Sequence, residues 1–206
     1  MPLVTAIKRS AKAQRVLFQV SIDGEYSFTL GDLDLSMSGL RVGHELSAEQ
    51  IAEYQGRGAT AKAQALAVRF IGVRMRSTRE VREYLLRKET PPAICERVIE
   101  RLEAQRLLDD EAFARAWVAE RRLLRPRSQS VLVQELAQKG IARAVVALVL
   151  SDEPEDAELN TLRALVERKR RLPAYAQNDK LAQFLMRKGF RWEHIKQVLG
   201  EGPGGD

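Results

Sequence analysis

Cysteine is nearly missing from this 206-residue chain. Cys95 stands alone, so no intramolecular disulfide can form, and the composition fits a reducing compartment. Histidine is almost as scarce: His44 and His194 are the two imidazoles, and neither has a second obvious metal ligand nearby. The sequence contains no HExxH, paired CxxC, GxxxxGK(S/T), GxGxxG or GxSxG pattern. Carboxylates are plentiful but scattered along helical segments. The chain is therefore read as non-enzymatic, with no metal and no cofactor, Cys95 as a small packing residue and both histidines as ordinary surface or half-buried side chains. A dispersed carboxylate site is the remaining enzymatic alternative. Long apolar runs are absent too: the longest, Ala144 to Leu150, falls far short of the roughly 18 residues that cross a bilayer and reads as a buried helix. The opening MPLVTAIKRSAKAQR has no apolar stretch followed by a small-residue cleavage site, so it is not a secretory signal. These absences point to a cytoplasmic protein with no membrane partner.

What is present is a lopsided basic charge. Of the 34 Lys and Arg residues only six lie in residues 1–58, leaving 28 beyond; of the 28 Asp and Glu residues seven lie there, leaving 21 beyond. The whole excess of positive charge belongs to the C-terminal three-quarters, which implies a polyanion or a protein–DNA filament as its partner.

Two periodicities divide the chain. From Leu3 to about Leu30 the pattern is strand-like. Val16, Phe18 and Val20 alternate with Leu17, Gln19 and Ser21, Asp23-Gly24 is a two-residue hairpin signal, and Tyr26 and Phe28 resume the alternation. Ser10 to Ala13 reads as an earlier turn. Ser47 and Gln50 form a capping box opening a helix that is expected to run to about Gln55 and to end at Gly56-Arg57-Gly58. Beyond Gly58 everything reads as helix. Ser77 and Glu80 form a second capping box, Thr90 is expected as the N-cap before Pro91, Asp109-Asp110 opens a helix, and Ser128 or Ser130 opens the next. Gly140 and Gly189 stand where left-handed C-caps are wanted, Pro154 suits a helix start and Pro173 a stop.

The helical region repeats itself. Leu66, Leu85, Ile94 and Val98 are separated by 19, 9 and 4 residues; Trp117, Leu136, Val146 and Leu150 by 19, 10 and 4; Val166, Leu185, Ile195 and Leu199 again by 19, 10 and 4. Around the second position the chain reads YLLRKE, ELAQKG and FLMRKG. A period near 50 residues implies a three-helix unit used three times. The expected architecture is mainly α: tandem three-helix repeats in three units, preceded by a small N-terminal β-hairpin and helix module. Its expected boundaries are 1–58 for the β module, 59–108 for repeat one, 109–152 for repeat two, and 153–206 for repeat three and tail.

The segment LLDDEAFARAWVAERR, Leu107 to Arg122, resembles a D-x-x-F-A-x-x-aromatic-V-x-x-R pattern of the RecX regulatory family, on Asp110, Phe113, Ala114, Trp117, Val118 and Arg121. Glu135-Leu136 through Lys139-Gly140-Ile141 resembles the family's EL…KGI element, and Leu185 with Arg187, Lys188, Gly189 and Phe190 repeats it. The likeness covers roughly residues 60–200. There are departures: Leu123 to Pro126 stands where the family often has a glycine, and repeat one has Lys88-Glu89 in place of lysine–glycine. The resemblance implies an elongated, curved helical array that binds RecA protein and its filament on DNA, along the filament's groove. It also implies restraint of recombinase and coprotease activity, and direct contact with single- and double-stranded DNA.

Candidate binding residues fall in basic clusters. Arg121, Arg122, Arg125 and Arg127 form one, stiffened by Pro126; Arg168, Lys169, Arg170 and Arg171 form the second; Arg187, Lys188 and Arg191 form the third. The first two end the opening helices of repeats two and three, and Arg74 and Arg76 hold a similar place in repeat one. A periodic stripe of this kind would track phosphates. The plainer alternative is that cations near helix C-termini complement the helix dipole and solvate a surface. A basic array acting on DNA without RecA is the second functional reading. Trp117 is expected in a core and Trp192 is a candidate for exposure.

Overall fold

In the computed structural model, which describes residues 1–10 and 17–200, the chain forms two bodies. The first holds Met1–Arg76 and Val81–Leu108; the second holds Ser77–Glu80 and the chain from Asp109 onward.

The first body opens with an antiparallel sheet in the order β1 (Val4–Arg9), β2 (Leu17–Ile22), β3 (Glu25–Gly31). Asp23 and Gly24 make the expected hairpin turn, both at positive φ (50° and 87°). The β2–β3 register slips between Val20↔Phe28 and Ser21↔Tyr26, leaving Ser27 as an extra residue. That bulge breaks the simple alternation: Phe28 is buried while Tyr26 turns out to solvent. Val16 and most of the turn expected at Ser10 to Ala13 lie outside the described residues. A short helix, α1 (Asp32–Ser38), follows β3; it buries no residue and so left no apolar period to read.

Helix α2 (Ala48–Ile71) begins at the expected Ser47–Gln50 capping box, with both reciprocal hydrogen bonds formed. It does not end at Gly56-Arg57-Gly58. It runs on to Ile71, so the break expected there is corrected, and the physical reason is packing. A methyl group on Gly58 would collide with the Thr29 carbonyl oxygen of β3, so glycine here lets helix and strand approach closely. The helix thereby serves two cores. Ile51 and Tyr54 pack under the sheet with Val4, Val20, Phe28 and Leu30, while Ala63, Leu66, Ala67 and Phe70 pack with α3 and α4.

Three units of three helices follow one plan. Their second helices, α3 (Thr78–Arg87), α6 (Gln129–Gln138) and α9 (Asn178–Arg187), are ten residues each. Their third helices are α4 (Pro92–Ala104), α7 (Arg143–Ser151) and α10 (Trp192–Gly200). The first helices are the end of α2, then α5 (Asp110–Leu124) and α8 (Ala157–Arg170). Starts at 78, 129, 178 and at 92, 143, 192 give the same steps of 51 and 49 residues. By that rule the partners of Val146 and Leu150 in the first unit are Cys95 and Ile99, both buried, rather than Ile94 and Val98. The spacing is ten in all three units, and Cys95 is the small core residue expected. Burial pushes its thiol up from the ordinary value, which keeps it protonated. Pro91, not Thr90, is the N-cap of α4, one residue later than expected, with Pro92 in the first turn.

Each unit has its own core: Val81, Leu85, Cys95, Val98, Ile99 and Leu102; then Phe113, Val118, Leu132, Leu136, Val146 and Val149; then Leu162, Leu165, Leu181, Leu185, Ile195 and Val198. All twelve apolar residues that defined the repeat lie in these clusters or against them.

Within the second body the units join by a recurring device. The N-cap serine of one second helix meets the glycine turn that ends the next one. Ser77 Oγ donates to Lys139 O (2.7 Å), and a Cβ on Gly140 would stand 2.5 Å from Arg79 Cδ. One unit on, a Cβ on Gly189 would stand 2.6 Å from Ser128 Oγ and 2.5 Å from Val131 Cγ2. A carboxylate completes each junction: Asp110 accepts from Thr78 N (2.8 Å) and Glu158 from Gln129 N (2.7 Å). Both glycines also sit at positive φ (81° and 87°), so no other residue satisfies both the turn and the approach.

Leu136 is fully buried in the middle unit. Leu136→Ala is expected to lower unfolding free energy by about 2–5 kcal/mol through the cavity it leaves. Urea denaturation measures this, and a parental midpoint would contradict the register described.

Candidate anion-binding site

The basic residues singled out by their spacing divide into those the fold consumes and those it leaves available. Arg121 is consumed. Its guanidinium lies buried over the Trp117 ring (4.0 Å), and its Nε donates to Glu135 Oε2 at 2.7 Å. Trp117 Nε1 donates to the same oxygen at 2.8 Å, so one carboxylate holds both side chains. Trp117 also stacks on Phe113 (5.7 Å), and packs against the middle core as expected. Arg122 is consumed as well: Nε and Nη2 grip both oxygens of Glu153 (3.0 and 2.8 Å), and Nη1 donates to Arg127 O (3.1 Å). That fork fixes the path of the chain after α5.

Arg125, Arg127, Arg168, Lys169 and Lys188 are brought together. They line a cleft of about 260 Å³ with Leu124, Pro126, Leu165 and Phe184, and no carboxylate lines it. Three elements build it: the segment leaving α5, the last turns of α8, and the end of α9. Arg127 has a distant counter-charge in Glu135, 3.6 Å from Nε. Lys169 and Lys188 lie 4.9 and 5.4 Å from the Phe184 centroid, ordinary cation–π distances. Burial, then the neighbouring Arg127 and Lys169, push the Lys188 ammonium below its usual value. A lysine lowered by burial beside like charges would be returned towards its ordinary value by a neighbouring anion.

The other candidates do not line this cleft. Arg170 donates to Asn178 Oδ1 (3.1 Å), and Arg171 makes a loose, exposed pair with Glu167 (3.3 Å). Arg187 and Arg191 are exposed, as is Trp192 beside them, 53 % accessible. In the first body, Arg74 Nη1 donates to Met75 O (2.9 Å), and the Arg76 guanidinium lies 3.9 Å over Phe70. His44 is exposed, and half-buried His194 stands 3.3 Å from Glu158. Among the described residues no cluster of His, Cys, Asp or Glu could hold a metal ion, and no helix is long and apolar enough to cross a membrane. Sequence reasoning missed the apolar floor of the cleft. Leu124 and Phe184 belong to helical periods, and nothing local signals that they face five cations.

Comparison with known proteins gives a consistent match along the chain. Family models for the first, second and third three-helix domains of RecX match residues 63–102, 109–150 and 156–199. The regulatory protein RecX of Bacillus pumilus is 34 % identical, covering 98 % of this chain and 78 % of that protein. Those of Halalkalibacterium halodurans and Bacillus subtilis are each 30 % identical over 98 % of this chain and 79 % and 77 % of theirs. A crystal structure of a regulatory protein RecX superposes with a TM-score of 0.74 at 24 % identity, covering 98 % of this chain and all of that one. RecX from Lactobacillus salivarius gives 0.61 at 19 % identity, over 69 % and 96 %. At those identities the two structures speak for the fold.

The division into consumed and available arginines has a direct test. Arg121→Ala takes the close counter-charge from Glu135, leaving it the Trp117 N–H and the looser Arg127, and is expected to cost about 3 kcal/mol of stability, the low end for breaking a buried pair. Arg125→Ala removes an exposed charge and should stay within about 0.5 kcal/mol of the parent. Chemical denaturation of both variants compares them, and equal losses would refute the division.

Proposed function

The chain belongs to the RecX family of regulatory, non-enzymatic proteins, and from that premise we propose that it binds the filament RecA forms on DNA and restrains its recombinase and coprotease activities. The observation that carries this reading is the match of all three repeat units, in order, to the family's three domains. The cleft adds a chemical reason. A filament on DNA is a periodic polyanion with acidic protein surface beside it, and a cluster of cations without carboxylates suits either. The lone buried thiol fits a reducing cytoplasm.

A second reading is kept because the same cleft favours it: the protein holds single- or double-stranded DNA directly, without needing RecA. The two differ in salt dependence. Binding to bare DNA weakens steeply with salt through counterion release, whereas docking on protein with an apolar contribution weakens less.

Titrating the purified protein into RecA-driven strand exchange tests the proposal. Exchange is expected to slow at sub-stoichiometric protein, with no nucleotide hydrolysis by the protein alone. Unchanged exchange at saturating protein would rule out the regulatory reading.

A further inference from the structure

The repeat makes a comparison possible that a single domain does not. Lys139 and Lys188 are equivalent, each just before the glycine that ends its unit's second helix. Each ammonium lies over an aromatic ring, Lys139 5.1 Å from Trp117 and Lys188 5.4 Å from Phe184. Their electrostatic surroundings are opposite. Lys139 Nζ stands 2.8 Å from Glu80 Oε1, and Arg121 beside it holds Glu135. One unit on, at the same steps of 51 and 49 residues, Val131 occupies the place of Glu80 and Phe184 that of Glu135. The cations are kept and both carboxylates are replaced by apolar side chains. Arg125 and Arg168, facing the same cleft, have no acidic partner among the described residues.

Random loss of an acid would leave a repulsive cluster that costs stability. Here one of the replacements, Phe184, also joins the apolar floor that a nucleotide needs. Leu124, Leu165 and Phe184 give an apolar surface for a sugar or base, ringed by guanidinium forks and ammonium groups suited to phosphate oxygens. At about 260 Å³ the space suits one exposed sugar or base with its phosphates, which an unpaired strand offers and a duplex with its bases stacked inside does not. We propose that this cleft between the second and third units is a binding site for the sugar–phosphate backbone of single-stranded nucleic acid. Arg125, Arg168 and Lys188 hold its phosphates. The proposal deepens the functional reading above, which takes the protein to work on DNA within a filament, by naming where and how this chain grips a strand.

The experiment uses the full chain without RecA, so its outcome is separate from that of strand exchange. A fluorescein-labelled oligothymidylate of about twelve nucleotides is titrated by anisotropy against the parent, the R125E/R168E variant and an R87E/R97E control of equal net charge. Arg87 and Arg97 are exposed residues of α3 and α4 in the first body, so the control leaves the cleft intact. The cleft variant is expected to bind at least about tenfold more weakly, with a salt slope flatter by about 0.7 for each phosphate that is no longer held. The control should stay within about twofold to threefold. Circular dichroism melts matching the parent's show that both variants fold. Equal weakening by cleft and control variants, or no strand binding by the parent, overturns the assignment. So does displacement of the oligonucleotide by an oligoglutamate of the same length at equal concentration, which would make the cleft a general anion sink. A parent that binds no strand yet slows strand exchange defeats the cleft and leaves the regulatory reading standing.

Discussion

Successive second helices in the second body meet at a glycine, and most of what the structure does follows from that contact. A serine N-cap must approach a left-handed turn closely enough that any Cβ at Gly140 or Gly189 would intrude. The turn satisfies the last carbonyls of its own helix, and its carbonyl side accepts the neighbour: Ser77 Oγ on Lys139 O, Ser130 Oγ at 3.4 Å from Gly189 O. Backbone contacts of this kind fix register more strictly than apolar packing, which tolerates small slips. The ends of the array depart from it. Glu89 adopts the left-handed turn of the first unit (φ 59°) with a side chain in place. Gln177 stands in place of the serine at the start of α9 and forms no side-chain cap.

Fixed register gives equivalent positions equivalent geometry, and it leaves their chemistry free to differ. Around the middle unit Glu80 of α3, Glu135 of α6 and Glu153 neutralise Lys139, Arg121 and Arg122, and the result is a stable brace between helices. One repeat on, the cations persist with Val131 and Phe184 where two of the acids stood, and the result is an open cleft between the second and third units. One scaffold thus pairs its charges at one junction and leaves them without acidic partners at the next. The like charges of the cleft raise the energy of the protein, a cost that the proposed polyanion would relieve.

Much of this was legible in the sequence because it rests on local rules. Capping boxes at Ser47 and Ser77, the Asp23-Gly24 turn and the glycine turns each need a few adjacent residues, and the repeat needs only apolar spacing. What escaped depends on partners far along the chain. Gly56 and Gly58 read as a helix stop, yet Gly58 answers to Thr29 across a helix–sheet contact. The nine-residue spacing chosen for the first unit hid Cys95 and Ile99, since a cysteine does not announce itself as a repeat position. Arg121 and Arg122 look like surface charge in sequence, and only the fold brings Glu135 and Glu153, 14 and 31 residues away, against them. The cleft was invisible for the same reason: its cations come from three elements, and its defining feature is two carboxylates replaced.

The central claim is that carboxylate positions filled by apolar side chains make the cleft's cations available. Val131→Glu restores the acid at one such position, the counterpart of Glu80, without touching a basic residue. The measurement is the side-chain NMR titration of Lys188 in the parent and in this variant. In the parent Lys188 should titrate below an ordinary lysine, held down by burial, Arg127 and Lys169. In Val131→Glu its midpoint should rise, since a carboxylate about 3 Å away favours the charged form. An unchanged Lys188 midpoint in a folded variant would contradict the account.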